Sequence, residues 1–360
     1  MGKRNRVTTR DIAARTGFSQ STISMILSDR KNVSFSEETI NSVKQTAKEM
    51  GYKKPAKKTP SKNQAFKKSI IVLCPHFANS YYSTVIHSIT EKAREYGYMI
   101  FSLSTDRHAS NEEEYLKYLS EFEVAGIISL YPPAKIELAN RISKQIPIVS
   151  IGDKPDTCKF DAVELESTRP GTMIGEHLLS LGHRHITYIS TPINTSEVGR
   201  IHRLDGLRIA FEKQGLDPSN VEMMSVSTSR YKSYGIDSAE YMTGYELAAK
   251  AIDSGTASTA FVGNNDLTAF GIMAALHDRG CRIPGDYSVC GFDNVPLASM
   301  PQISLTTIEH GASLKGREAV EIIHRKNRQR SSGERRYIMR LEYEPELIER
   351  NTTGKARELL

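Results

Sequence analysis

Small hydrogen-bonding side chains are concentrated in one short segment near the N-terminus. Ser19 is followed directly by Gln20, Ser21 and Thr22, and Ser24 stands two positions further on. Hydroxyl and amide groups can both donate and accept hydrogen bonds, which direct readout of base edges in the DNA major groove requires. The segment is therefore a candidate base-reading surface, provided that the surrounding elements form a helix that exposes it.

The sequence around this segment is typical of three short helices. Thr8 and Asp11 have the spacing of a helix-capping pair, Gly17 interrupts the pattern, and Ser19 can cap a second helix. A third helix is predicted to start near Ser36. Two short helices joined by a tight glycine-containing turn match the helix-turn-helix geometry, in which the second helix enters the major groove. The alternative is a generic three-helix scaffold with a polar face.

An excess of basic over acidic residues is confined to the first part of the chain and favours the DNA-binding alternative. Residues 1–68 contain sixteen Lys and Arg against five Asp and Glu, whereas the remaining 292 residues contain 32 against 37. A basic head on a mildly acidic body indicates a polyanion partner for the head alone. Pro55 and Pro60 interrupt any long helix in residues 53–68, so this segment is either a flexible tether or an ordered hinge. Seven lysines there can neutralise phosphates. They are Lys53, Lys54, Lys57, Lys58, Lys62, Lys67 and Lys68.

From Ser69 onward, short apolar runs alternate with amphipathic stretches. Continuous apolar strands separated by helices predict parallel sheets covered on both faces. Because roughly 290 residues exceed one ordinary sheet, we expect two doubly wound lobes, with ligands beyond the carboxyl ends of the strands. The predicted strands are Ile70–Cys74, Met99–Leu103, Gly126–Leu130, Ile146–Ile151, Ile186–Ser190, Ala260–Val262 and Ser288–Phe292. The predicted helices cover 83–96, 171–181, 204–214, 241–253 and 266–279.

The sequence lacks the motifs of several classes of protein. No apolar run approaches membrane-spanning length, and no apolar signal-peptide core follows the basic N-terminus, so we expect a cytoplasmic protein without membrane contact. The four cysteines form no Cys-x-x-Cys pair, and His183 and His185 have no accompanying ligand pattern. We therefore expect no disulfide and no metal site. Without a Gly-x-Ser-x-Gly elbow or a glycine-rich phosphate loop, we expect no enzyme and no cofactor.

A succession of short motifs runs through the head. They are Val7-Thr8-Thr9-Arg10-Asp11-Ile12-Ala13, Gly17-Phe18-Ser19, Thr22-Ile23-Ser24, Ile26-Leu27, Val33-Ser34, Glu37-Glu38-Thr39 and Gly51-Tyr52. In this order they resemble the headpiece of the LacI/GalR family of bacterial transcription regulators. The resemblance implies that Gln20, Ser21 and Met25 occupy base-reading positions. Because Met25 cannot make the bidentate guanine contact of an arginine, we expect an atypical operator. The expected DNA-binding residues are Thr8, Ser19, Gln20, Ser21, Thr22, Ser24, Met25, Lys53, Lys54, Lys57 and Lys58.

Motifs of the body follow the order of the same family. They are Asn79-Ser80-Tyr81-Tyr82, Arg203 with Gly206, Gly263-Asn264-Asn265-Asp266, Pro284-Gly285-Asp286-Tyr287-Ser288-Val289, Gly291-Phe292-Asp293-Asn294, Leu305-Thr306-Thr307-Ile308 and Pro345-Glu346-Leu347-Ile348-Glu349-Arg350-Asn351-Thr352. The resemblance implies an α/β protein with a helix-turn-helix headpiece and a two-lobed, periplasmic-binding-protein-like body for effector binding and dimerisation. The expected boundaries are 1–52 for the headpiece, 53–68 for the linker or hinge, 69–350 for the body and 351–360 for the tail. Lobe one is expected near 69–165 plus 305–336, and lobe two near 166–304 plus 337–350.

The chain departs from the family pattern in three places. Family members usually insert a hinge leucine into the minor groove, whereas here no leucine follows in the linker, and Ala65 or Phe66 would have to substitute. Glu166-Ser167 stands where an Asp-Asn pair is usual, and Ala125-Gly126 replaces Asp-Gly. These differences put kinking of DNA and the details of the ligand in question rather than the fold.

The resemblance also implies a set of ligand contacts. Carboxylates and an amide bind hydroxyls, an arginine offers a rigid donor fork, and tyrosines give stacking faces, which suits a sugar or another polyhydroxylated or heterocyclic ligand. For Asn265 and Asp293 the alternative is capping of the next element, and for Tyr82 it is a place in the core. The six expected contacts are Tyr81, Tyr82, Asp153, Arg203, Asn265 and Asp293.

These expectations combine into a ligand-controlled repressor that binds double-stranded operator DNA. A homodimer would place two recognition helices roughly 34 Å apart, so its operator would be pseudo-palindromic. The residues from Gly354 to Leu360 are too few for the additional helix that tetramers of this family need. The competing hypotheses are a solute-binding protein for transport and a sugar-processing enzyme, and neither explains the basic head.

Overall fold

A computed structural model of the chain describes residues 7–28, 35–52, 66–153, 155, 157–164, 166–193, 198–332, 335 and 337–358. Contacts divide the chain into two units, Met1–Lys62 and Asn63–Leu360. The predicted DNA contacts Lys53, Lys54, Lys57 and Lys58 lie outside the described residues, as does Ala65. Among the helices in the described ranges, none is both long enough and apolar enough to cross a membrane.

The first unit contains three helices, α1 (Thr9–Thr16), α2 (Gln20–Leu27) and α3 (Glu37–Glu49). Their N-termini confirm the predicted caps. Thr8 and Asp11 form a reciprocal capping box, the hydroxyl of Ser19 accepts from Thr22 N at 3.1 Å, and the hydroxyl of Ser36 caps α3. The small core shared by the three helices is formed by Ile12, Ile23, Ile26, Val43 and Ala47.

Lobe one of the second unit is built on a six-stranded parallel sheet of order β11-β5-β4-β3-β1-β2. Its strands are β1 (Ser69–Cys74), β2 (Met99–Ser104), β3 (Gly126–Ser129), β4 (Ile148–Ile151), β5 (Asp161–Glu164) and β11 (Arg340–Glu342), and its helices are α4 (Ser80–Glu95), α5 (Ala109–Leu119), α6 (Ile136–Ile142) and α12 (Ala312–Ser332). Alternate residues of β1 pack on opposite faces of the sheet, because Ile70 and Val72 join a core with α4 and α12 while Ile71 and Leu73 join one with α5 and α6.

Lobe two is built on a four-stranded parallel sheet of order β7-β6-β8-β9. Its strands are β6 (Ile186–Ser190), β7 (Val221–Ser225), β8 (Ala260–Gly263) and β9 (Ser288–Cys290), and its helices are α7 (Thr168–Ser180), α8 (Val198–Lys213), α9 (Thr228–Ser233), α10 (Ala239–Asp253) and α11 (Asp266–Asp278). Helices α7 and α8 cover one face of the sheet, and α10 and α11 cover the other. This arrangement confirms the predicted pair of doubly wound lobes.

The helix pairs of lobe two approach closely because glycines stand at their crossings. A Cβ atom on Gly206 of α8 would overlap Thr168 O and lie 2.7 Å from Thr172 N of α7. Likewise, a Cβ atom on Gly271 of α11 would overlap Tyr241 O of α10. The backbones are therefore in direct contact at both crossings, and a hydroxyl of α7 exploits this, since Thr172 Oγ1 donates to Gly206 O at 3.1 Å.

Two expected boundaries of the lobes are wrong. We expect residues 337–350 in lobe two, but β11 pairs in parallel with β5 and extends the sheet of lobe one. Conversely, β10 (Thr307–Glu309) pairs with β12 (Glu346–Ile348) in an antiparallel ribbon whose apolar side chains join the core of lobe two. Strand pairing is a long-range property, so local sequence patterns did not reveal this exchange.

Of the expected tail, 351–360, the part that the structure describes is held on lobe two. Thr352 is buried, its carbonyl accepts from Val289 N at 2.8 Å, and its hydroxyl donates to Val289 O at 2.7 Å. His183 is also a buried residue of this lobe. Its ring nitrogens lie within hydrogen-bond distance of Thr259 Oγ1 and Ser288 Oγ, at 2.7 and 3.0 Å.

Phe66, a candidate for the missing hinge leucine, packs on lobe one. Its ring meets those of Phe101 and Phe122 edge to face, with centroids 5.7 Å apart in both pairs. The Phe66 side chain therefore anchors the start of the body on lobe one. Insertion of this ring into the minor groove of DNA would require both aromatic contacts to break.

Candidate functional site

A cavity of about 130 Å³ lies where the carboxyl ends of the strands of both lobes face each other. This is small beside the roughly 300–1,000 Å³ typical of ligand pockets, so the cleft in this form admits only a small ligand. A wider hollow of about 510 Å³ lies at the amino ends of β4 and β5, away from this meeting of strand ends. The structure brings all six expected ligand contacts to the smaller cavity, and they are Tyr81, Tyr82, Asp153, Arg203, Asn265 and Asp293.

Asp293 and Arg203 form the wall of the cavity on the side of lobe two. Asp293 follows β9 with a φ of 113°, a left-handed conformation that is strained for an aspartate. Its Oδ1 atom accepts from His310 Nε2 at 3.0 Å and lies 3.5 Å from Arg203 Nη2. The guanidinium of Arg203 also donates to Asn264 O and lies 4.6 Å from the centroid of the Phe292 ring. These contacts hold the arginine in one orientation.

Asp153 follows β4 and contributes an acceptor from lobe one. Its Oδ2 atom lies 3.2 Å from His202 Nδ1 of α8, whereas Oδ1 is buried without a hydrogen-bond partner among the described residues. Burial raises the pKa of Asp153, and a hydrogen bond from Ser167 and the charge of Arg203 oppose that rise. A buried carboxylate oxygen that accepts no hydrogen bond is destabilising, and a ligand hydroxyl could donate the missing hydrogen bond.

The two tyrosines lie at the start of α4. The Tyr81 ring is 5.2 Å from the Tyr82 ring and 5.3 Å from the His310 ring, centroid to centroid. Tyr82 fits both interpretations left open by the sequence, because it is buried in the core of lobe one and also lines the cavity, where its hydroxyl accepts from Arg107 Nη2 at 3.0 Å. Burial raises the pKa of the Tyr81 phenol, so the ring stays neutral.

Asn265 has the capping role that was its alternative interpretation. Its Oδ1 atom accepts from Thr268 N at 2.9 Å and caps α11, while the residue still lines the cavity. Glu166, which replaces an aspartate of the family pattern, accepts from Thr168 N and Arg169 N at 3.0 and 2.8 Å and so begins α7. Both side chains are used to start helices that border the cleft.

Several cavity residues were not found from the sequence. Glu240 accepts from Asn79 Nδ2 at 2.8 Å and thereby joins α10 of lobe two to lobe one. His310 and Lys315 come from the connection after β10 and the first turn of α12, a region in which the sequence showed no helix or ligand motif. Histidine and lysine are common on the exposed faces of helices, so the local sequence does not indicate that these two residues are buried.

In the headpiece, the predicted DNA-binding residues differ in their hydrogen bonds and in their exposure to solvent. Thr8 and Ser19 are helix caps, and Ser19 Oγ also lies within 2.8 Å of the hydroxyls of Ser21 and Thr22. Gln20 is exposed and its amide nitrogen lies 3.3 Å from Thr9 Oγ1 of α1. Ser24 is exposed as well, whereas Met25 is half-buried. Helix α2 therefore presents Gln20, Ser21 and Ser24 outward.

Comparison with known proteins finds a family match within the body and relatives over nearly the whole chain. Residues 176–353 match the family described as periplasmic binding protein-like domain. The HTH-type transcriptional regulator DegA of Bacillus subtilis (strain 168) is 30% identical over 353 residues, which cover 96% of this chain and 97% of DegA. The HTH-type transcriptional repressor PurR of Mannheimia succiniciproducens is 27% identical over 351 residues, 97% of this chain and 99% of PurR.

Solved structures share the fold at lower identity. A LacI family transcriptional regulator from Enterococcus faecium with bound ribose superposes with a TM-score of 0.68 at 24% identity, covering 81% of this chain and 100% of that one. A LacI family protein from Silicibacter pomeroyi gives 0.69 at 23% identity, covering 97% and 99%. With a full-length relative at 30% identity and this fold, the chain belongs to the LacI family of helix-turn-helix transcription regulators.

Proposed function

We propose that the protein is a cytoplasmic, homodimeric repressor whose operator affinity is set by a small sugar or sugar derivative bound in the cleft. The observation that carries this is the donor and acceptor set of the cavity, above all the oriented guanidinium of Arg203 and Asp153 Oδ1, which has no hydrogen-bond partner among the described residues. Such groups bind hydroxyls. Relatives point the same way, since one is a ribose operon repressor and two similar structures hold ribose and cellobiose. The proposal assigns binding rather than catalysis to the cleft.

The effector would act on contacts that cross the cleft. Asn79 Nδ2 donates to Glu240 Oε2 at 2.8 Å, and His202 Nδ1 lies 3.2 Å from Asp153 Oδ2, so each pair joins one lobe to the other. A ligand with several hydroxyls would exchange hydrogen bonds with these groups and change the angle between the lobes. Lobe one would pass this change to the linker, because Phe66 is fixed on it.

On the DNA side, we propose that α2 reads a pseudo-palindromic operator and that linker lysines contact phosphates. Gln20, Ser21 and Ser24 would meet base edges, supported by the exposed face of α2. Replacing Gln20 with alanine is expected to lower affinity for the operator about 10- to 100-fold while leaving binding to random duplexes unchanged, because one base contact contributes about 1–3 kcal/mol of discrimination.

Fluorescence anisotropy over a series of salt concentrations would measure DNA binding. The first duplexes come from the DNA upstream of the gene that encodes this protein, and the second set has random sequence. Gln45→Ala, which removes an exposed glutamine of α3, is the matched control and should bind as the wild type does. Adding sugars to the wild-type complex tests effector control. Equal, weak binding to every duplex, or operator binding that no ligand alters, would contradict the proposal.

The homodimer is supported by an exposed apolar edge on lobe one. Strand β2 is the edge strand of its sheet and exposes 53% of Met99 and 41% of Phe101, and such patches mark interaction surfaces. Met99→Glu is expected to weaken dimerisation at least about 30-fold, because it would bury an unpaired charge in the interface. Sedimentation velocity across micromolar concentrations measures this. Ile236→Glu, at another exposed apolar position, is the control, and an unchanged dimer in Met99→Glu would place the interface elsewhere.

A further inference from the structure

The cavity wall contains a buried lysine. Lys315 lies in the first turn of α12, its side chain is fully buried, and it lines the cleft. A buried ammonium is destabilising unless an anion pairs with it. The position adds to this cost, since the N-terminus of a helix carries a partial positive charge that disfavours a cation.

The ammonium of Lys315 forms no direct ion pair among the described residues, although the charges of Asp153, Asp293 and Glu309 act on it from further away. Among the described residues, Nζ has one hydrogen-bond partner, His310 Nδ1 at 3.1 Å, and no carboxylate oxygen within 4.0 Å. An ammonium only donates, so Nδ1 accepts and the ring proton is on Nε2, from which it is donated to Asp293 Oδ1 at 3.0 Å. Burial and the charge of Lys315 both lower the pKa of His310, which keeps the ring neutral. Two N–H groups of the ammonium remain for a ligand.

Two acidic side chains that line the cavity have other partners. Asp293 lies 3.5 Å from Arg203 Nη2, and Asp153 uses Oδ2 toward His202. The walls contain four permanently or largely cationic side chains, Arg107, Arg200, Arg203 and Lys315, and three carboxylates, Asp153, Glu240 and Asp293. A ligand oxyanion would supply the direct partner that the Lys315 ammonium does not have among the described residues, and a charged hydrogen bond is about twice as strong as a neutral one.

We propose that Lys315 selects an effector with an oxyanion, a carboxylate or a phosphate, on a polyhydroxylated body. The oxyanion pairs with the ammonium, a hydroxyl donates to Asp153 Oδ1, and another oxygen accepts from Arg203 Nε, which is buried and has no partner in the described part of the chain. Sugar acids and sugar phosphates have this combination of groups. The inference rests on the proposed function, because it presupposes that this cleft is the effector site.

The proposal gives a pH signature. Burial lowers the pKa of Lys315 to about 8, against the opposing effect of Asp153. Below this pH the ammonium is already charged, whereas above it an anion must bind together with a proton, so affinity falls up to about tenfold per pH unit. The charged or titratable groups that act on Lys315 are Asp153, Arg203, Asp293, Glu309 and His310.

Isothermal titration calorimetry on the full-length protein tests the selection. The probes are D-glucose, D-gluconate, D-glucuronate and glucose 6-phosphate, with D-ribose, D-ribonate and ribose 5-phosphate as the pentose series, at pH 7 and pH 9. We expect at least one acid or phosphate to bind 10- to 100-fold more tightly than its neutral parent, and more weakly at pH 9. The two anionic arms distinguish a carboxylate from a phosphate.

Variants of Lys315 separate selection from folding. Lys315→Met is expected to remove the preference for anions and the change between pH 7 and 9, and Lys315→Arg to keep the preference. Lys117→Met, at an exposed lysine of α5, should behave as the wild type. Without ligand, Lys315→Met should melt at a higher temperature, because an unpaired buried cation is replaced by an apolar chain.

Each contrary outcome has a distinct meaning. A neutral sugar that binds more tightly than its acid and its phosphate overturns the role of Lys315 but leaves the proposed function in place. A lower melting temperature of Lys315→Met shows that the ammonium is satisfied inside the protein and also overturns it. If no probe binds the wild type, the oxyanion selection fails, and the proposed function is then decided by the operator titration.

Discussion

Gly206→Ala is expected to destabilise the body by at least about 3 kcal/mol, a large part of the 5–15 kcal/mol that usually separates folded from unfolded domains. The methyl group would overlap Thr168 O and crowd Thr172 N, which are backbone atoms of the neighbouring helix. No side-chain rotation relieves such an overlap, so α7 and α8 must move apart and lose both their core contacts and the bond from Thr172 Oγ1 to Gly206 O.

Urea unfolding of the purified variant measures this effect as a lower midpoint with an unchanged slope. Glu212→Ala, at an exposed position of the same helix, is the control for general effects of alanine on α8 and should unfold with the wild type. If Gly206→Ala also retained the wild-type midpoint, the close crossing of the two helices would be wrong.

Arg203→Lys is expected to lower effector affinity at least about 100-fold while operator affinity without effector stays unchanged. The guanidinium simultaneously donates to Asn264 O, pairs with Asp293 and lies over the Phe292 ring. A lysine is a point charge without a planar fork, so it can keep the charge near Asp293 but not the other two interactions. Losing directed, buried hydrogen bonds to a charged group costs about 1.5–3 kcal/mol each.

Calorimetry with the sugar, acid or phosphate that shifts wild-type operator binding provides the measurement, and anisotropy on the operator without ligand provides the control. Arg208→Lys, on another face of α8, should leave both unchanged. Retained effector affinity in Arg203→Lys would mean that the guanidinium is a structural group of lobe two and not a ligand contact.

Local signals in the sequence were sufficient for the elements that carry DNA binding and for most of the body. Thr8, Ser19 and Ser36 mark the three helix starts of the head because capping depends on residues only two or three positions apart. Buried parallel strands are equally visible, because both of their faces are apolar. The order of family motifs then placed six residues that the fold brings to one cavity.

The features that were missed depend on distant parts of the chain. Lys315 and His310 look like solvated residues in the sequence, and only the packing of α12 against the cleft buries them. Strand β11 is three residues long, and it pairs with β5, which lies far away in the sequence. Long-range pairing and burial of charge have no periodicity, so a single sequence does not reveal them.

The anchoring of Phe66 on lobe one limits how far each recognition helix can travel. Phe66 stands fourteen positions after Tyr52, which packs at the end of the head, and a fully extended chain of that length reaches at most about 50 Å. Such a tether is longer than the roughly 34 Å between successive half-sites on DNA. If the linker stays flexible, the protein should therefore bind operators with different spacings between the half-sites. A strict preference for one spacing would indicate that the lysine-rich segment becomes ordered on DNA.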